Sequence, residues 1–292
     1  MYSSIAKNKR NSILFVIGFI VIFSVICVLV SLILGDIHYA YYAMAVIVAY
    51  VIFQYFLSIH LAVFMTGATP IEKQNNPALY RIVENLAITI GIPTPKIYII
   101  NDPSPNAFAA GKNPKDAIIG VTTGLLNIMD KQELEGVLAH EMGHIKNYDT
   151  RFSTIIFAMI AAIGLIVDIS IRAMFGVRNN NAGPLILVIL VILVILAPLS
   201  HFLQAASSRE REYLADATGA EITRFPEGLA SALNKLNAYE GPGLRKAPSS
   251  MSHLFFENPA RKQKINWLDK MFATHPPLED RVRRLYQMGG EL

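Results

Sequence analysis

Residues 138–149 of the chain read LAHEMGHIKNYD. Within this stretch His140 and His144 are four positions apart, and Glu141 follows the first histidine directly. Residues at i and i+4 share one face of an α-helix, so both imidazoles can reach one metal ion. A glutamate beside the first histidine is placed to act as a general base. The stretch therefore predicts half of a catalytic metal site. The same sequence is also compatible with a helix that carries two histidines and binds no metal.

The composition of the chain indicates a membrane protein. Of its 292 residues 53% are hydrophobic and only 16% are charged, whereas soluble proteins have about 25% charged residues. The formal net charge of +4 suits a surface that faces anionic lipid and is too small to indicate nucleic-acid binding. The single cysteine, Cys27, cannot form an internal disulfide.

Four apolar stretches are each long enough to cross a bilayer, which takes about 20 helical residues. They comprise residues 13–34, 38–65, 152–171 and 184–206. Short links join the first pair and the second pair, so the sequence predicts four transmembrane helices in two hairpins. The first stretch is too long for the apolar part of a signal peptide, and we interpret it as an uncleaved span.

Basic residues near the predicted spans indicate the orientation. With four crossings, the N-terminus, residues 66–151 and residues 207–292 lie on one side of the membrane. The basic residues of that side are Lys7, Lys9, Arg10, Lys73, Arg81, Lys146, Arg151, Arg209 and Arg211. The opposite side has only Arg172 and Arg178. The positive-inside rule therefore places the polar parts in the cytoplasm, and we expect a multi-pass protein of the cytoplasmic (inner) membrane.

The polar parts combine helices with a few short strands. Asp130 and Glu133 form a capping box at the start of the helix that carries the histidine pair. Helices are predicted over residues 77–90, 123–127, 131–148, 208–222, 226–238, 259–271 and 278–288, and strands over residues 96–101, 106–110 and 117–122. The predicted fold class is therefore α+β, a mostly helical integral membrane protein.

A third metal ligand is available in residues 207–217, which read SSREREYLADA. Glu212 and Asp216 are four positions apart on a predicted helix, so one carboxylate can bind the metal while the other orients a ligand histidine. The alternative is a charged helix face in solvent. His144 lies eight residues before the third apolar stretch and Glu212 six residues after the fourth. If the helices are continuous, these separations are about 12 Å and 9 Å, and the two half-sites emerge from the hairpin side by side.

Four blocks of sequence resemble one known family. They read PNAFAAG (105–111), VTTGLLNIMDKQELEGVLAHEMGHIKNYD (121–149), SREREYLAD (208–216) and THPPLEDR (274–281). The chain resembles the HtpX family of membrane zinc metalloproteases, which is related to the CAAX prenyl proteases. The resemblance covers nearly the whole chain and implies a zincin-like protease domain that faces the cytoplasm.

The resemblance assigns roles to individual residues. It implies one zinc ion bound by His140, His144 and Glu212, with Glu141 as the catalytic base. Glu210 is the competing ligand, but Glu212 occupies the ligand position of the family pattern. Two further residues are implied to support the site or the transition state: Asp216 and His275. Four residues are implied to form the strand edge along which a substrate lies: Asn106, Ala107, Phe108 and Ala109.

The same resemblance gives a domain organisation and a function. Residues 1–65 are expected to form an N-terminal transmembrane hairpin, and residues 152–206 a second one. Residues 66–151 and 207–292 are expected to form the two halves of the protease domain. The expected activity is zinc-dependent hydrolysis of peptide bonds in cytosolic segments of misfolded membrane proteins. The expected partners are polypeptide substrates and the lipid bilayer, with no nucleic acid.

Three other functions are weighed against this one. A CAAX-prenyl-protease-like enzyme shares the ligands but needs a larger membrane chamber than four spans suggest. A non-catalytic scaffold or chaperone with a structural zinc needs a fourth ligand, for which His275 is the candidate. A transporter is suggested only by Asp168 inside the third apolar stretch, and a pair of Asp168 with Arg172 is the simpler explanation.

Overall fold

The computed structural model describes residues 2–176, 183–205, 209–243, 255–256 and 276–290. Most of these residues are helical, and the strands form one small sheet. In chain order the elements are α1 (Tyr2–Leu34), α2 (His38–Thr66), β1 (Thr69–Pro70), α3 (Pro77–Ile90), β2 (Lys96–Ile100), β3 (Ala107–Ala110), β4 (Ile118–Thr122), α4 (Thr123–Ile128), α5 (Lys131–Lys146), α6 (Asp149–Gly176), α7 (Gly183–Ala205), α8 (Arg209–Thr223), α9 (Pro226–Ala238) and α10 (Leu278–Gly289).

Three of the described helices are long and apolar enough to cross a membrane. Their apolar parts are Asn8–Leu34 in α1, His38–Thr66 in α2 and Asp149–Arg172 in α6. In α7 the described residues contain a shorter apolar segment, Ile186–Leu196. The membrane-protein character is therefore confirmed, while the fourth span stays a prediction.

The apolar helices share one hydrophobic cluster. Phe19 and Phe23 of α1 pack with Phe152 and Ile156 of α6 and with Leu196 of α7. Large apolar side chains on the outer faces of α1 and α2 are exposed, and Phe64 is 82% exposed. An apolar surface of this extent suits contact with lipid hydrocarbon rather than water.

The sheet has four strands in the order β1-β2-β4-β3. Strands β2 and β4 are parallel, whereas β1 pairs antiparallel with β2 and β3 pairs antiparallel with β4. Strand β3 is therefore an edge strand of the sheet, and it contacts α5. A second hydrophobic cluster joins the sheet to α3, α5, α9 and α10, and α5 lies at its centre.

Local sequence signals explain where the site-bearing helix begins. The Asp130 side chain accepts hydrogen bonds from the backbone N–H groups of Gln132 and Glu133, and the Glu133 carboxylate accepts one from the Asp130 N–H. The predicted capping box is thus confirmed. Lys235 and Ser231 of α9 also donate to Glu133, which ties the start of α5 to the C-terminal part of the chain.

The predicted helix over 131–148 is not continuous with the third span, so the condition for the distance of about 12 Å is not met. Helix α5 ends at Lys146, and α6 begins at Asp149. Between them Tyr148 has φ of 61°, the left-handed region that few non-glycine residues adopt. The chain therefore turns a corner at residues 147–149 before it enters the membrane helix. The predicted helix over 259–271 lies outside the described residues.

One further prediction is confirmed, and one strand was missed. Asp168 and Arg172 form the expected pair, with Arg172 Nε 2.7 Å from Asp168 Oδ2, and both side chains are exposed. Strand β1 was not predicted, because it has only the two residues Thr69 and Pro70.

Candidate active site

Helices α5 and α8 bring the three candidate ligands together. Nε2 of His140 lies 3.0 Å from Nε2 of His144. The Glu212 carboxylate of α8 has one oxygen 3.8 Å from Nε2 of His140 and the other 3.6 Å from Nε2 of His144. The ligand atoms of all three residues lie within 4.8 Å of one another. Glu212 is buried while Glu210 is exposed, as expected if Glu212 is the ligand.

Two glycines allow α5 and α8 to approach this closely. A Cβ atom on Gly143 of α5 would lie 3.2 Å from the backbone oxygen of Ala215. A Cβ atom on Gly219 of α8 would lie 3.1 Å from the backbone nitrogen of His140. Larger residues at these positions would push the helices apart, since backbone cannot yield as a flexible side chain can. Gly143 and Gly219 therefore permit the short distance between α5 and α8.

The outer nitrogen of each histidine faces a carboxylate. Nδ1 of His140 lies 2.9 Å from Oδ1 of Asp216, and Nδ1 of His144 lies 3.1 Å from Oδ2 of Asp149. A carboxylate accepts hydrogen bonds, so a neutral histidine in such a pair donates from Nδ1 and has its lone pair on Nε2. Both Nε2 atoms lie less than 4 Å from a Glu212 carboxylate oxygen, at 3.8 Å for His140 and 3.6 Å for His144.

This donor set fits a zinc ion. Two imidazole nitrogens and one carboxylate oxygen are a known ligand combination of catalytic zinc, which leaves a coordination position open. The outer carboxylates complete the histidine orientation that metal sites require. Asp149 was not predicted as part of the site, because it follows the break after α5.

Arg281 is the second residue that sequence reasoning missed. It is fully buried, and its guanidinium donates to both oxygens of Asp216, from Nε at 2.8 Å and from Nη2 at 2.6 Å. Nη1 lies 3.5 Å from Oε2 of Glu212. Arg281 thus connects α10 to both acidic residues of α8. It ends the block THPPLEDR, where it was not given a role.

The electrostatic environment shifts the pKa values of the central residues in different directions. Burial raises the pKa of Glu141 to about 7, with the charge of Glu212 adding to the shift and His144 opposing it. Burial lowers the pKa of His140 to about 4, because the hydrogen bond to Asp216 offsets it only in part. Burial also acts to lower the pKa of His144, but the hydrogen bond to Asp149 and the charge of Glu212 outweigh it and raise the pKa to about 9.

The pKa of Asp216 lies below its usual range. Burial acts to raise it, but the charge of Arg281 and the hydrogen bonds from Arg281 and His140 outweigh this effect. Asp216 is therefore an anion throughout the neutral pH range.

Strand β3 carries the predicted substrate edge, Asn106–Ala109, close to Glu141. The backbone N–H of Ala109 donates to the Glu141 carboxylate. The Phe108 side chain is fully buried, which agrees with an ordinary core role for that side chain. The Asn106 side chain accepts from the N–H of Ala107 at 3.0 Å.

The outer side of β3 is paired with the chain itself. The N–H of Phe256 donates to the backbone oxygen of Ala107 at 2.9 Å, and Phe255 forms an antiparallel bridge with Phe108. The Phe256 ring lies 4.9 Å from the His140 ring, centroid to centroid. Two residues therefore occupy the backbone positions that an extended peptide on this edge would use. His275 lies outside the described residues.

The sequence profile of peptidase family M48 matches residues 73–288. The chain belongs to peptidase family M48. It is 47% identical to the protease HtpX homolog of Tropheryma whipplei, over 100% of this chain and 99% of that protein. It is 41% identical to the HtpX homolog of Caldanaerobacter subterraneus, over 98% of this chain and 97% of that protein. The HtpX homolog of Streptococcus uberis is 38% identical, over 99% of this chain and 100% of that protein.

The family membership confirms the predicted activity class, so this M48 chain is a membrane metalloprotease that acts on polypeptides. A solved structure, Ste24p of S. mikatae, gives a TM-score of 0.48 and 22% identity, over 80% of this chain and 57% of that chain.

Proposed function

We propose that this M48 chain is a zinc-dependent endopeptidase that cleaves cytosolic segments of membrane proteins, misfolded ones in particular, beside the inner face of the membrane. The observation that carries the proposal is the convergence of His140, His144 and Glu212 on one point, with Glu141 on the same helix. In this proposal the three residues bind one zinc ion per chain, and Glu141 is the catalytic base.

The chemistry follows from what each side chain can do. A bound zinc ion supplies Lewis acidity and lowers the pKa of a water molecule toward 7. Glu141 accepts the proton of that water while the water oxygen adds to the carbonyl carbon of the peptide bond. Glu141 then donates the proton to the leaving nitrogen as the C–N bond breaks. Burial raises the pKa of Glu141 in the metal-free site, and a carboxyl group with a raised pKa is suited to take up and release a proton near neutral pH.

Supporting residues hold this arrangement. Asp216 orients His140 and Arg281 fixes Asp216, so neither needs to touch the substrate. His275 is proposed to support the developing negative charge of the transition state. Among the described residues the metal cluster has three candidate ligands, and we propose that water takes the fourth position, as in catalytic zinc sites.

A substrate is proposed to bind as an extended strand along Asn106–Ala109. Main-chain hydrogen bonds to a strand edge capture peptides with little dependence on side chains. The pairing of Phe256 with Ala107 means that a substrate strand must take the place of Phe255 and Phe256. The proposal therefore includes displacement of this pair when a substrate binds.

We propose that the site lies close to the lipid surface. Helix α6 begins at Asp149, five residues after His144, so the site lies near the end of an apolar helix. We propose four transmembrane helices in two hairpins, residues 1–65 and 152–206, with protease halves 66–151 and 207–292 in the cytoplasm. The distribution of basic residues supports the cytoplasmic location of the protease halves.

The test is the variant Glu141→Gln in the full-length protein. The glutamine side chain keeps the shape of the glutamate but cannot accept a proton, and Glu141 is not a proposed ligand. We expect zinc content equal to that of wild type and loss of cleavage of a membrane-protein substrate in detergent. Cleavage at the wild-type rate by this variant would overturn the mechanism.

A further inference from the structure

Helix α1 reaches the candidate zinc site through Asn8. Its Nδ2 donates to Oδ1 of Asp149 at 2.6 Å and to the backbone oxygen of Asn147 at 3.0 Å. The other oxygen of Asp149, Oδ2, lies 3.1 Å from Nδ1 of His144. A chain of two hydrogen bonds therefore connects the N-terminal helix to a candidate zinc ligand that is 136 positions away, 144 against 8, in the sequence.

The corner between α5 and α6 needs such support. Tyr148 is held in the left-handed region with φ of 61°, a strained conformation for a non-glycine residue that persists only where its surroundings enforce it. Lys9, next to Asn8, places its ammonium group 4.2 Å from the centre of the Tyr148 ring. From the opposite side, Asn147 donates to Thr218 of α8 at 3.3 Å. The corner is thus held between α1 and α8.

The contacts of Asn8 are buried. Asn8 is 4% exposed and Asp149 is 3% exposed. A buried carboxylate that loses one hydrogen-bond donor is not compensated by water, so it rotates or shifts toward the donors that remain. Arg211 of α8 contributes positive charge close to Asp149, and this charge would draw the carboxylate when Asn8 no longer holds it.

We propose that Asn8 is a positioning residue for the zinc site: it holds Asp149 in the rotamer that orients the His144 imidazole toward the metal. This inference rests on the proposed function, in which His144 binds zinc. The first membrane helix is then part of the machinery that forms the metal site, rather than only an anchor.

The orientation of a ligand histidine determines metal affinity. Loss of an outer partner of a metal-ligating histidine costs about 10- to 100-fold in affinity. Asn8 contacts Asp149 and not the His144 imidazole itself. We therefore expect its removal to weaken zinc binding about tenfold, the lower end of that range.

The experiment measures the zinc dissociation constant of the full-length protein in detergent by competition with a chromogenic chelator. The variants are Asn8→Ala, Asp149→Ala and the double variant. Asn11→Ala, an asparagine on the same helix with a partly exposed side chain, is the matched control. We expect Asn8→Ala to bind zinc about tenfold more weakly and Asn11→Ala to bind it as wild type does.

The double variant separates positioning from a general structural role. If Asn8 acts through Asp149, Asn8→Ala has no further effect on zinc affinity once Asp149 is alanine. Additive losses would overturn the proposal, and so would wild-type affinity of Asn8→Ala. Asn8→Ser, a milder change whose shorter side chain cannot make both contacts, gives the same comparison if Asn8→Ala does not fold.

The melting temperature of the zinc-free variants is a second readout. We expect the zinc-free Asn8→Ser protein to melt below the Asn11→Ala control, because Asn8 makes two buried hydrogen bonds. A positioning role additionally lowers the rise in melting temperature that added zinc provides, relative to Asn11→Ala. If wild type and Asn8→Ser bind zinc equally well, the proposed role of Asn8 is contradicted, but the proposed function is not. A wild-type protein that binds no zinc contradicts the proposed function and this role together.

Discussion

Arg281 of α10 and Asp216 of α8 form a fully buried ion pair with two hydrogen bonds, at 2.6 and 2.8 Å. Asp216 in turn contacts the outer nitrogen of His140. The last described helix of the chain thus reaches the candidate ligand His140 through Asp216, and the same guanidinium lies 3.5 Å from the candidate ligand Glu212. A buried charge that loses its partner destabilises a protein far more than an exposed one does.

The first prediction concerns this pair. Arg281→Met leaves Asp216 as an uncompensated buried charge, and we expect a loss of about 3–5 kcal/mol in the free energy of unfolding. Arg283→Met is the control, because Arg283 forms a similar pair with Asp280 at 2.6 Å but is 67% exposed, and exposed pairs contribute about 0–1 kcal/mol. Thermal melting of both variants in one detergent checks the difference. Equal melting temperatures would contradict the role assigned to the buried pair.

The second prediction concerns the close approach of α5 and α8. Gly143→Val places a branched side chain against the backbone of Ala215, and we expect zinc binding to be lost because Glu212 moves away from the histidines. Gly164→Val on α6 is the control, since a Cβ atom there meets no atom within 4 Å apart from the backbone of its own helix and its chain neighbours. Metal content after purification with added zinc measures the outcome. Full zinc content in Gly143→Val would show that the glycine contact does not set the geometry.

The third prediction concerns the pH dependence of zinc binding. The raised pKa of His144, about 9, means that the metal-free site carries a proton at neutral pH. Zinc binds neutral imidazole, so binding must release about one proton. Affinity is then expected to rise as the pH increases toward 9 and to level off above it. Calorimetry in two buffers with different ionisation enthalpies counts the protons, and a count of zero at neutral pH would contradict the shifted pKa.

The fourth prediction concerns the edge of β3. Phe256→Ala removes the ring that contacts His140 and lies 5.1 Å from the Arg281 guanidinium. We expect this loss to weaken the pairing of residues 255–256 with β3. We expect the KM for a peptide substrate to fall about tenfold, because burial of a phenylalanine ring contributes about 1.5–3 kcal/mol. Steady-state kinetics compare this variant with Phe225→Ala, where the ring is 40% exposed. An unchanged or higher KM would mean that substrates do not displace Phe256.

The sequence predicted the parts of the site that depend on local patterns. The predicted bounds of α3, residues 77–90, agree with the structure, in which the Asn76 side chain caps the first turn and Gly91 follows the last one. The start of α5 follows from its capping box, and the face that carries His140 and His144 follows from the helical period. Glu212 was found because it repeats the same four-residue spacing with Asp216.

The missed features depend on tertiary contacts that no local pattern records. The run LEDRVRR in α10 has the charge density of a solvent-exposed helix, and Arg281 is buried because α10 packs against α8 and α9. A tyrosine gives no signal for the left-handed conformation at position 148, so the break before Asp149 and its contact with His144 were not predicted. The pairing of Phe255 with Phe108 joins residues 147 positions apart, 255 against 108, which periodicity cannot detect.

The central claim is that α5 and α8 together form one zinc site, and its most direct test is the zinc content of two glutamate variants of α8. Glu212 is buried beside the histidines, whereas Glu210 is exposed two positions earlier. Elemental analysis of purified full-length protein is expected to find one zinc per chain in wild type and Glu210→Ala, and none in Glu212→Ala. Retention of a full zinc ion by Glu212→Ala, or its loss from Glu210→Ala alone, would contradict the account.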